Sequence, residues 1–260
     1  MTRTKRLAGA ALCVILLSGC GGSGDAGGEG TTTTTRSLLN QDVVGGPSTP
    51  VGGGPGLSSG APPAYLPDLG YDIGSVEAPL KVIEFSDFGC GYCRRFHLET
   101  FPTLRAEFIE TARIEWKFMP FVTGSFGNSP AVSEAAECVL EQDAGRFEAF
   151  SHRLWELQAE WKGSDEPAAV VRPWAEEVGS DMAIYDACLA EDRRVDRVSG
   201  ATDVAGRLGI RGTPTFWLVG YGPLQGALPL EAFQGILGSV LEDLHAVRDS
   251  IAGDSAAAAG

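Results

Sequence analysis

Basic side chains are scarce in this 260-residue sequence, which has 20 Lys and Arg against 34 Asp and Glu and a formal net charge of −14 at pH 7. Nucleic-acid binding requires clustered Lys and Arg that neutralise phosphates, so this charge balance argues against a nucleic-acid partner. Long apolar runs are also missing, because no stretch of about 18 or more apolar residues occurs beyond the N-terminus. No membrane-spanning helix is therefore expected in the mature protein.

Metal-ligating residues are few as well, with three His, three Met and six Cys in the whole chain. A zinc site needs four close ligands, typically two C-x-x-C pairs or a Cys/His set. Cys90 and Cys93 form a single C-x-x-C, whereas Cys138 and Cys188 are far apart in the sequence. We therefore expect no metal and no cofactor. Zinc ligation and a purely structural disulfide remain the alternatives for Cys90 and Cys93.

The first twenty residues have the pattern of a targeting segment. A basic start, Arg3 to Arg6, precedes an apolar run from Leu7 to Leu17 that is too short to span a bilayer. The run ends in Leu17-Ser18-Gly19-Cys20, which resembles the lipobox of bacterial lipoproteins. The resemblance implies a signal peptide over residues 1–19, whose removal takes Cys13 with it, and a lipid on Cys20. An ordinary signal peptide cut nearby is the alternative.

Residues 20–70 are rich in Gly, Thr, Ser and Pro and have few large apolar side chains. Such a composition cannot bury enough apolar area to offset chain entropy, so we expect a disordered tether between the lipid and the folded part. Export predicts a location in the cell envelope, periplasmic or extracytoplasmic, with the lipid holding the chain to a membrane. That compartment is oxidising, so cysteine pairs can form disulfides.

Hydrophobic periodicity predicts the order of the elements that follow. Leu80 to Phe85 is a mostly apolar run typical of a buried strand, and Arg113 to Phe118 indicates a second strand. Between them, apolar residues at helical spacing predict a helix, which Pro102 should kink. Residues 129–208 have helical spacing throughout, and Ser129 and Pro130 suit its first cap and first helical position.

Strands return after the helical block. Thr215 to Val219 is rich in β-branched and aromatic residues, and an amphipathic helix over residues 233–244 closes the chain. The sequence thus predicts an α/β fold in two parts, 71–122 and 209–250. These parts flank a helical insertion over residues 123–208, and residues 251–260 are expected to form a flexible tail.

Cys90 is predicted to sit where the helix begins after the first strand. The unpaired N–H groups and the dipole at a helix N-terminus favour an anion, which lowers the pKa of a thiol there. Cys93 would lie one turn further in. Each unit of pKa corresponds to about 1.4 kcal/mol, or on the order of 30 mV toward a stronger oxidant. The turn is therefore expected to set the redox direction of the pair.

Two segments resemble the signatures of DsbA-like thioredoxin-fold proteins. They are Phe85-Ser86-Asp87-Phe88-Gly89-Cys90-Gly91-Tyr92-Cys93-Arg94-Arg95-Phe96 and Gly209-Ile210-Arg211-Gly212-Thr213-Pro214-Thr215-Phe216, and the resemblance extends over residues 71–248. It implies a thioredoxin fold with an inserted helical domain and thiol–disulfide oxidoreductase activity. It also implies that Cys90 is the nucleophile that forms the mixed disulfide with substrate and that Cys93 resolves it.

The resemblance assigns roles to residues around the pair as well. Pro214 matches the cis-proline that faces the active disulfide, and a cis bond is rare enough to be a deliberate feature. Thr213 would pair with the substrate backbone as an added strand. Gly91 and Tyr92 are the further expected substrate-binding residues. An ordinary loop proline is the alternative for Pro214.

Glu84 matches, by the same resemblance, a buried acidic residue that moves protons at the resolving cysteine. A carboxylate in an apolar strand is costly unless it has a partner, and Lys117 in the second strand is the expected charge partner. A purely structural ion pair is the alternative. His97, four residues after Cys93, is expected on a solvated helix face.

Cys138 and Cys188 fall in separate predicted helices of the insertion. In an exported protein we expect a structural disulfide between them, and some DsbA-like proteins have a second bond in this region. Closing such a loop could contribute up to roughly 4 kcal/mol in the chain-entropy model. Two buried free thiols or a second redox pair are the alternatives.

The sequence indicates the redox pair, Cys90 and Cys93, more clearly than it indicates the direction of the reaction. Gly91-Tyr92 has no His beside the nucleophile, unlike the strongly oxidising DsbA pattern, and with Thr213 it is more similar to DsbC-type isomerases. Those isomerases are dimers with a folded N-terminal domain, which the predicted tether does not provide. We therefore expect a monomer that oxidises substrate dithiols. A reductase or isomerase with the same pair, and a non-catalytic binding module or metallochaperone, are the alternatives.

Partners follow from the predicted compartment and chemistry. The expected substrates are exported cysteine-containing proteins or peptides, and the resemblance implies a membrane redox partner of the DsbB or VKOR type. A metallochaperone would need soft ligands beside the pair, and no Met or His motif adjoins Cys90.

Overall fold

The structure is a computed structural model that describes residue 66 and residues 68–258. The predicted signal peptide, the lipidation site at Cys20 and most of the tether lie outside the described residues. No helix of the described part is long and apolar enough to cross a membrane.

A five-stranded mixed sheet forms the centre of the fold. Its strands, in the order β1-β3-β2-β4-β5, are listed here in chain order: β1 Tyr71–Ile73, β2 Leu80–Ser86, β3 Ile114–Pro120, β4 Thr215–Leu218 and β5 Gly222–Gln225. β2 and β3 are parallel and the other neighbouring pairs are antiparallel. The central strand β2 is mostly apolar and is buried on both faces, as expected for a strand covered by helices. The predicted strands β2, β3 and β4 are confirmed, and the short edge strand β1 was not predicted.

The helix after β2 runs from Gly91 to Ile109 in four segments. These are α1 Gly91–Arg95, a π-helical segment Phe96–Thr100, α2 Phe101–Leu104 and a second π-helical segment Arg105–Ile109. Pro102 cannot donate a backbone hydrogen bond, and the segment before it is π-helical, with the Phe101 N–H bonded to the Phe96 carbonyl. Where the sequence predicts a kink, the structure thus shows a change from π-helix to α-helix.

Six helices form the insertion between β3 and β4. They are α3 Ser129–Leu140, α4 Ala144–Glu156, α5 Gln158–Lys162, α6 Pro167–Glu177, α7 Met182–Ala190 and α8 Val195–Arg207. The N-cap residue of α3 is Asn128, and Ser129, the predicted cap, is instead its first helical residue. A disulfide joins Cys138 of α3 to Cys188 of α7, with 5.8 Å between the Cα atoms and both residues buried. The helical insertion of a thioredoxin fold is thus confirmed.

The last helix, α9, covers Leu230–Ala258 and packs Phe233 and Leu237 against the sheet. It extends past residue 251, where the sequence predicts a flexible tail. The extension is rich in Ala, which has the highest helix propensity of all residues.

Candidate active site

Cys90 occupies the N-cap position of α1, directly after β2 and a short turn. Its extended backbone (φ −79°, ψ 124°) points the side chain back at the helix, where Sγ accepts a hydrogen bond from the Cys93 N–H at 3.5 Å. The pKa of Cys90 is lowered to about 6, first by the hydrogen bond from the Cys93 side chain. Burial opposes this shift, while the Thr213 side chain and the backbone N–H groups of Cys93 and Tyr92 favour it. Cys90 is therefore mostly a thiolate at neutral pH.

Cys93 lies one turn further in and is fully buried. Burial raises its pKa well above the ordinary value, and both the hydrogen bond to Cys90 and the charge of Cys90 raise it further. The Ser86 side chain and the Asp87 backbone act in the opposite direction. Both cysteines are free thiols in this structure. Their opposite pKa shifts make Cys90 the thiolate and Cys93 the proton-bearing partner.

The loop before β4 approaches Cys90 from the other side. The Thr213–Pro214 peptide bond is cis, and the Thr213 carbonyl oxygen lies 3.4 Å from Cys90 Sγ. Next to the pair, Tyr92 is 63% exposed, and a Cβ added at Gly91 would meet nothing within 4 Å. The structure therefore brings together the predicted residues Cys90, Cys93, Thr213 and Pro214, and it leaves open space beside them.

Asp87 organises the turn before Cys90, and the sequence reasoning did not single it out. One carboxylate oxygen accepts hydrogen bonds from the Gly89 N–H (2.9 Å) and the Ser129 hydroxyl, and the other accepts from the Thr123 N–H and hydroxyl, both at 3.0 Å. The buried carboxylate thus connects the cysteine turn to the first residue of α3. An Asp two residues before a Gly, directly after a buried strand, is a turn signal that could have found it.

Close packing and a second side chain fix the same turn. A Cβ at Gly89 would lie 2.5 Å from Phe126 Cβ and 2.5 Å from Ser129 Oγ, so only Gly fits there. From α5, the Gln158 Nε2 donates to the carbonyl oxygens of Phe88 (2.6 Å) and Cys90 (3.0 Å). The helical insertion therefore contacts the backbone of the cysteine motif directly.

Glu84 is fully buried in β2, and its partners differ from the predicted one. Its carboxylate accepts a hydrogen bond from Trp116 Nε1 at 3.0 Å and lies 2.8 Å from His97 Nε2. The prediction that Lys117 would be the partner is wrong. Lys117 is in register with Ile83, so it lies on the opposite face of the sheet, where its Nζ is 2.8 Å from a carboxylate oxygen of Asp72.

His97 was predicted on a solvated helix face, and this prediction is also wrong. Its side chain is 11% exposed, and its ring stacks on Trp155 with 4.7 Å between centroids and 9° between planes. It lies one helical turn after the buried Cys93, so the four-residue spacing was itself a signal of burial. His97 reaches Glu84 from the inner side of the helix.

A cavity of about 470 Å³ lies between α4, the helix after β2 and the edge of the sheet. His97 and Trp155 line it, but Cys90 and Cys93 do not. The predicted disulfide cysteines, Cys138 and Cys188, are bonded to each other within the same buried cluster that contains Cys90 and Cys93. Among the described residues, no group of three or more His, Cys, Asp or Glu is arranged to hold a metal ion.

A thioredoxin-type sheet, a C-x-x-C at a helix N-terminus and a cis-proline loop against its first sulfur define a class of thiol–disulfide oxidoreductases. Comparison with known proteins gives the family. A family model described as thioredoxin matches residues 70–237, so the chain belongs to this thioredoxin family. Together with the cysteine pair, this makes it a DsbA-like protein disulfide oxidoreductase.

The curated relatives include a disulfide bond formation protein and an antiporter. A probable disulfide bond formation protein D from Bacillus cereus is 27% identical over 154 residues, which are 57% of this chain and 69% of that protein. A Na(+)/H(+) antiporter NhaA 3 from Salinispora tropica is 31% identical over 156 residues. That match covers 59% of this chain but 22% of the antiporter, so the chain spans less than a quarter of that relative.

Solved structures support the fold. BdbD from Bacillus subtilis in its oxidised form is similar with a TM-score of 0.60 and 20% identity, covering 66% of this chain and 93% of that chain. The alpha-DsbA1 of Wolbachia pipientis gives a TM-score of 0.63 and 17% identity, covering 70% and 94%.

Proposed function

We propose that this protein oxidises dithiols of exported proteins through Cys90 and Cys93. The observation that supports this most is the opposite displacement of the two pKa values, with Cys90 lowered to about 6 and Cys93 raised. A stabilised Cys90 thiolate favours the reduced form of the pair, so the disulfide form readily accepts electrons. Each unit by which the pKa of Cys90 is lowered raises the reduction potential by about 30 mV.

The reaction proceeds by two thiol–disulfide exchanges. A substrate thiolate attacks Cys90 Sγ of the disulfide, the Cys90–Cys93 bond breaks, and Cys93 leaves as a thiolate that takes up one proton. A second substrate thiolate then attacks the substrate sulfur of the mixed disulfide and releases Cys90 as a thiolate. Two electrons pass from the substrate to the pair, and the substrate gains a disulfide.

Substrate recognition is proposed to use the surface beside Cys90. The Thr213 carbonyl is already 3.4 Å from Cys90 Sγ, so a peptide paired with the Thr213 backbone would place its own cysteine against this sulfur. Gly91 leaves space for that peptide, and Tyr92, 63% exposed, offers an aromatic contact. Reoxidation of the pair would require a membrane redox partner of the DsbB or VKOR type.

Trapping on non-reducing gels tests the roles of the two cysteines. Cys90→Ala should abolish exchange. Cys93→Ala should accumulate a mixed disulfide with a disulfide-bonded substrate, because the Cys90 thiolate can attack that disulfide but the thiol that expels the substrate is missing. The double variant Cys138→Ala, Cys188→Ala is the matched control and should behave as the wild type. Stable adducts in Cys90→Ala alone would reverse the roles, and no exchange by the wild type would favour a binding module.

A redox titration against glutathione tests the direction. A potential near or above that of protein disulfide isomerase, about −180 mV, would support oxidation of substrates. A potential near that of thioredoxin, about −270 mV, would instead support a reductase.

We also propose that the chain is exported and held to a membrane through lipid on Cys20, on the basis of Leu17-Ser18-Gly19-Cys20. Cys20→Ala should release the protein from the membrane fraction of its native host, with loss of the acyl mass from the N-terminal peptide. Unchanged fractionation of Cys20→Ala would contradict the anchor.

A further inference from the structure

Glu84 forms hydrogen bonds with two side chains of the described part, and they differ in what they can do with a proton. The indole N–H of Trp116, 3.0 Å away, is only a donor. The imidazole of His97, 2.8 Å away, can both take up and release a proton. Glu84 itself has no solvent exposure. A proton that moves between Glu84 and water by way of these two partners must therefore pass through His97.

His97 also lines the cavity of about 470 Å³. A water molecule takes about 30 Å³ of liquid volume, so the cavity has room for several. Ser151 also belongs to the lining, and its hydroxyl is buried with no hydrogen-bond partner within the described protein. The ring also stacks on Trp155, which restricts its orientation.

Ser86 continues the path from Glu84 toward Cys93. Side chains alternate along a strand, so Glu84 and Ser86 share one face of β2, about 6.5 Å apart along the backbone. The Ser86 hydroxyl is buried and has no hydrogen-bond partner among protein nitrogen and oxygen atoms of the described part. Its side chain acts to lower the pKa of the Cys93 thiol. A hydroxyl can accept one proton while donating another.

We propose that His97 conducts protons between this cavity and Glu84, and that Ser86 links Glu84 to Cys93. The proposal rests on the proposed function and adds the route by which the buried thiol exchanges its proton. When the Cys90–Cys93 bond breaks, Cys93 leaves with the electron pair of that bond and receives one proton along this path, which water in the cavity replaces. In the reverse reaction the proton leaves by the same route.

Other charged groups also face the cavity, and their effects on a pH profile must be distinguished from the effect of His97. Tyr71 of β1 donates to Glu148 of α4, and Arg105 is 2.7 Å from the same carboxylate, so these three are engaged with one another. His152 of α4 lies 3.3 Å from Glu156. From β3, the residue against His97 is the uncharged Phe118. Arg94, on the same helix as His97, donates to the Trp155 carbonyl oxygen at 2.8 Å.

Three variants distinguish proton conduction from a structural role. His97→Gln keeps a hydrogen-bond donor for Glu84 but cannot titrate, and His97→Ala opens space next to the cavity for added imidazole. His152→Ala is the matched control, because it removes the other histidine of the same cavity. The measurement is the stopped-flow rate at which the oxidised protein reacts with dithiothreitol between pH 5 and 9, with circular dichroism to verify folding.

General acid–base groups typically contribute about 10²–10⁴-fold, so we expect His97→Gln and His97→Ala to react at least about tenfold more slowly near neutral pH, with a changed pH profile. Imidazole should restore the rate of His97→Ala and leave His97→Gln and His152→Ala unaffected. A wild-type pH profile in His97→Gln, or a folded His97→Ala that imidazole does not rescue, would overturn the proposal. If His97→Ala does not fold, the pH profile of His97→Gln decides. A wild-type protein that fails to react at any pH would count against the proposed function instead.

Discussion

The Cys90 sulfur lies 3.4 Å from the Thr213 carbonyl oxygen, although 123 positions separate the two residues in the sequence. The Thr213 side chain also lowers the pKa of Cys90, so one residue both approaches the sulfur through its backbone and favours its ionised form. The cis peptide bond to Pro214 follows directly, and β4 begins one residue later. The cis-proline loop is thus part of the electrostatic environment of the nucleophile.

Replacing Thr213 by Val should raise the pKa of Cys90 above its value of about 6, because Val keeps the branched shape and removes the hydroxyl. The reduction potential should become more negative by about 30 mV for each unit of that rise. Thiolate absorbance at 240 nm against pH measures the first quantity, and glutathione equilibration measures the second. Thr111→Val, at an exposed and remote site, is the control; an unmoved Cys90 midpoint in Thr213→Val would contradict the assignment.

The stability of the reduced protein should depend on pH through Cys90. The pKa of Cys90 is about 6 in the folded protein, against an ordinary value of 9.0. The folded thiolate therefore stabilises the reduced protein fully above pH 9, and this stabilisation is lost as the pH falls through 6. The free energy of unfolding of the reduced form, relative to the oxidised form, should therefore rise between pH 5 and pH 8. Urea unfolding of both forms measures it. Reduced Cys90→Ala should lack this rise, and a flat wild-type difference would refute the prediction.

Removing the Asp87 carboxylate should destabilise the protein strongly. Asp87→Ala leaves the donors of Gly89, Thr123 and Ser129 without their acceptor, and each buried unsatisfied group costs about 1–3 kcal/mol. We expect a loss of about 3 kcal/mol or more in urea unfolding of the oxidised form. Asp203→Ala, at an exposed position of α8, should change stability by less than about 0.5 kcal/mol. Equal effects of the two substitutions would show that the Asp87 hydrogen bonds contribute little.

The disulfide between Cys138 and Cys188 is predicted to be structural. Its removal in Cys138→Ala, Cys188→Ala should lower the free energy of unfolding by up to about 4 kcal/mol and leave the potential of Cys90–Cys93 nearly unchanged. Thermal unfolding and mass mapping of the exported protein are the measurements. A free thiol at either position in the oxidised wild type, or a large shift of potential in the variant, would contradict a purely structural role.

Much of the fold could be predicted because the hydrophobic pattern is local. The apolar run that became β2 and the helical spacing of the insertion depend only on neighbouring residues, and both are confirmed. Edge strand β1 escaped prediction because it has three residues, too few for periodicity to be visible. It pairs with β3, a segment distant in the sequence, which no local pattern reveals.

The partners of Glu84 could not be predicted from the sequence, because they depend on strand register. A shift of one residue between β2 and β3 would have moved Lys117 to the face of Glu84 and Trp116 away from it. His97 is a different case, since its spacing from Cys93 already indicated the buried side of the helix. Asp87 lies between these cases: the turn signal is local, but two of its partners, Thr123 and Ser129, come from beyond β3.

Gln158 links the insertion to the cysteine motif through two backbone carbonyl groups, those of Phe88 and Cys90. The conformation of the Cys90–Cys93 motif therefore depends on the helical insertion. Grafted onto a thioredoxin-fold protein that lacks α5, the same Cys-Gly-Tyr-Cys sequence would lose the donor that holds its first carbonyl groups, and the N-terminal turn of its helix would be free to adopt other geometries. Transferring the redox behaviour of this chain to another protein would therefore require both the turn and α5, whose Gln158 hydrogen-bonds to it.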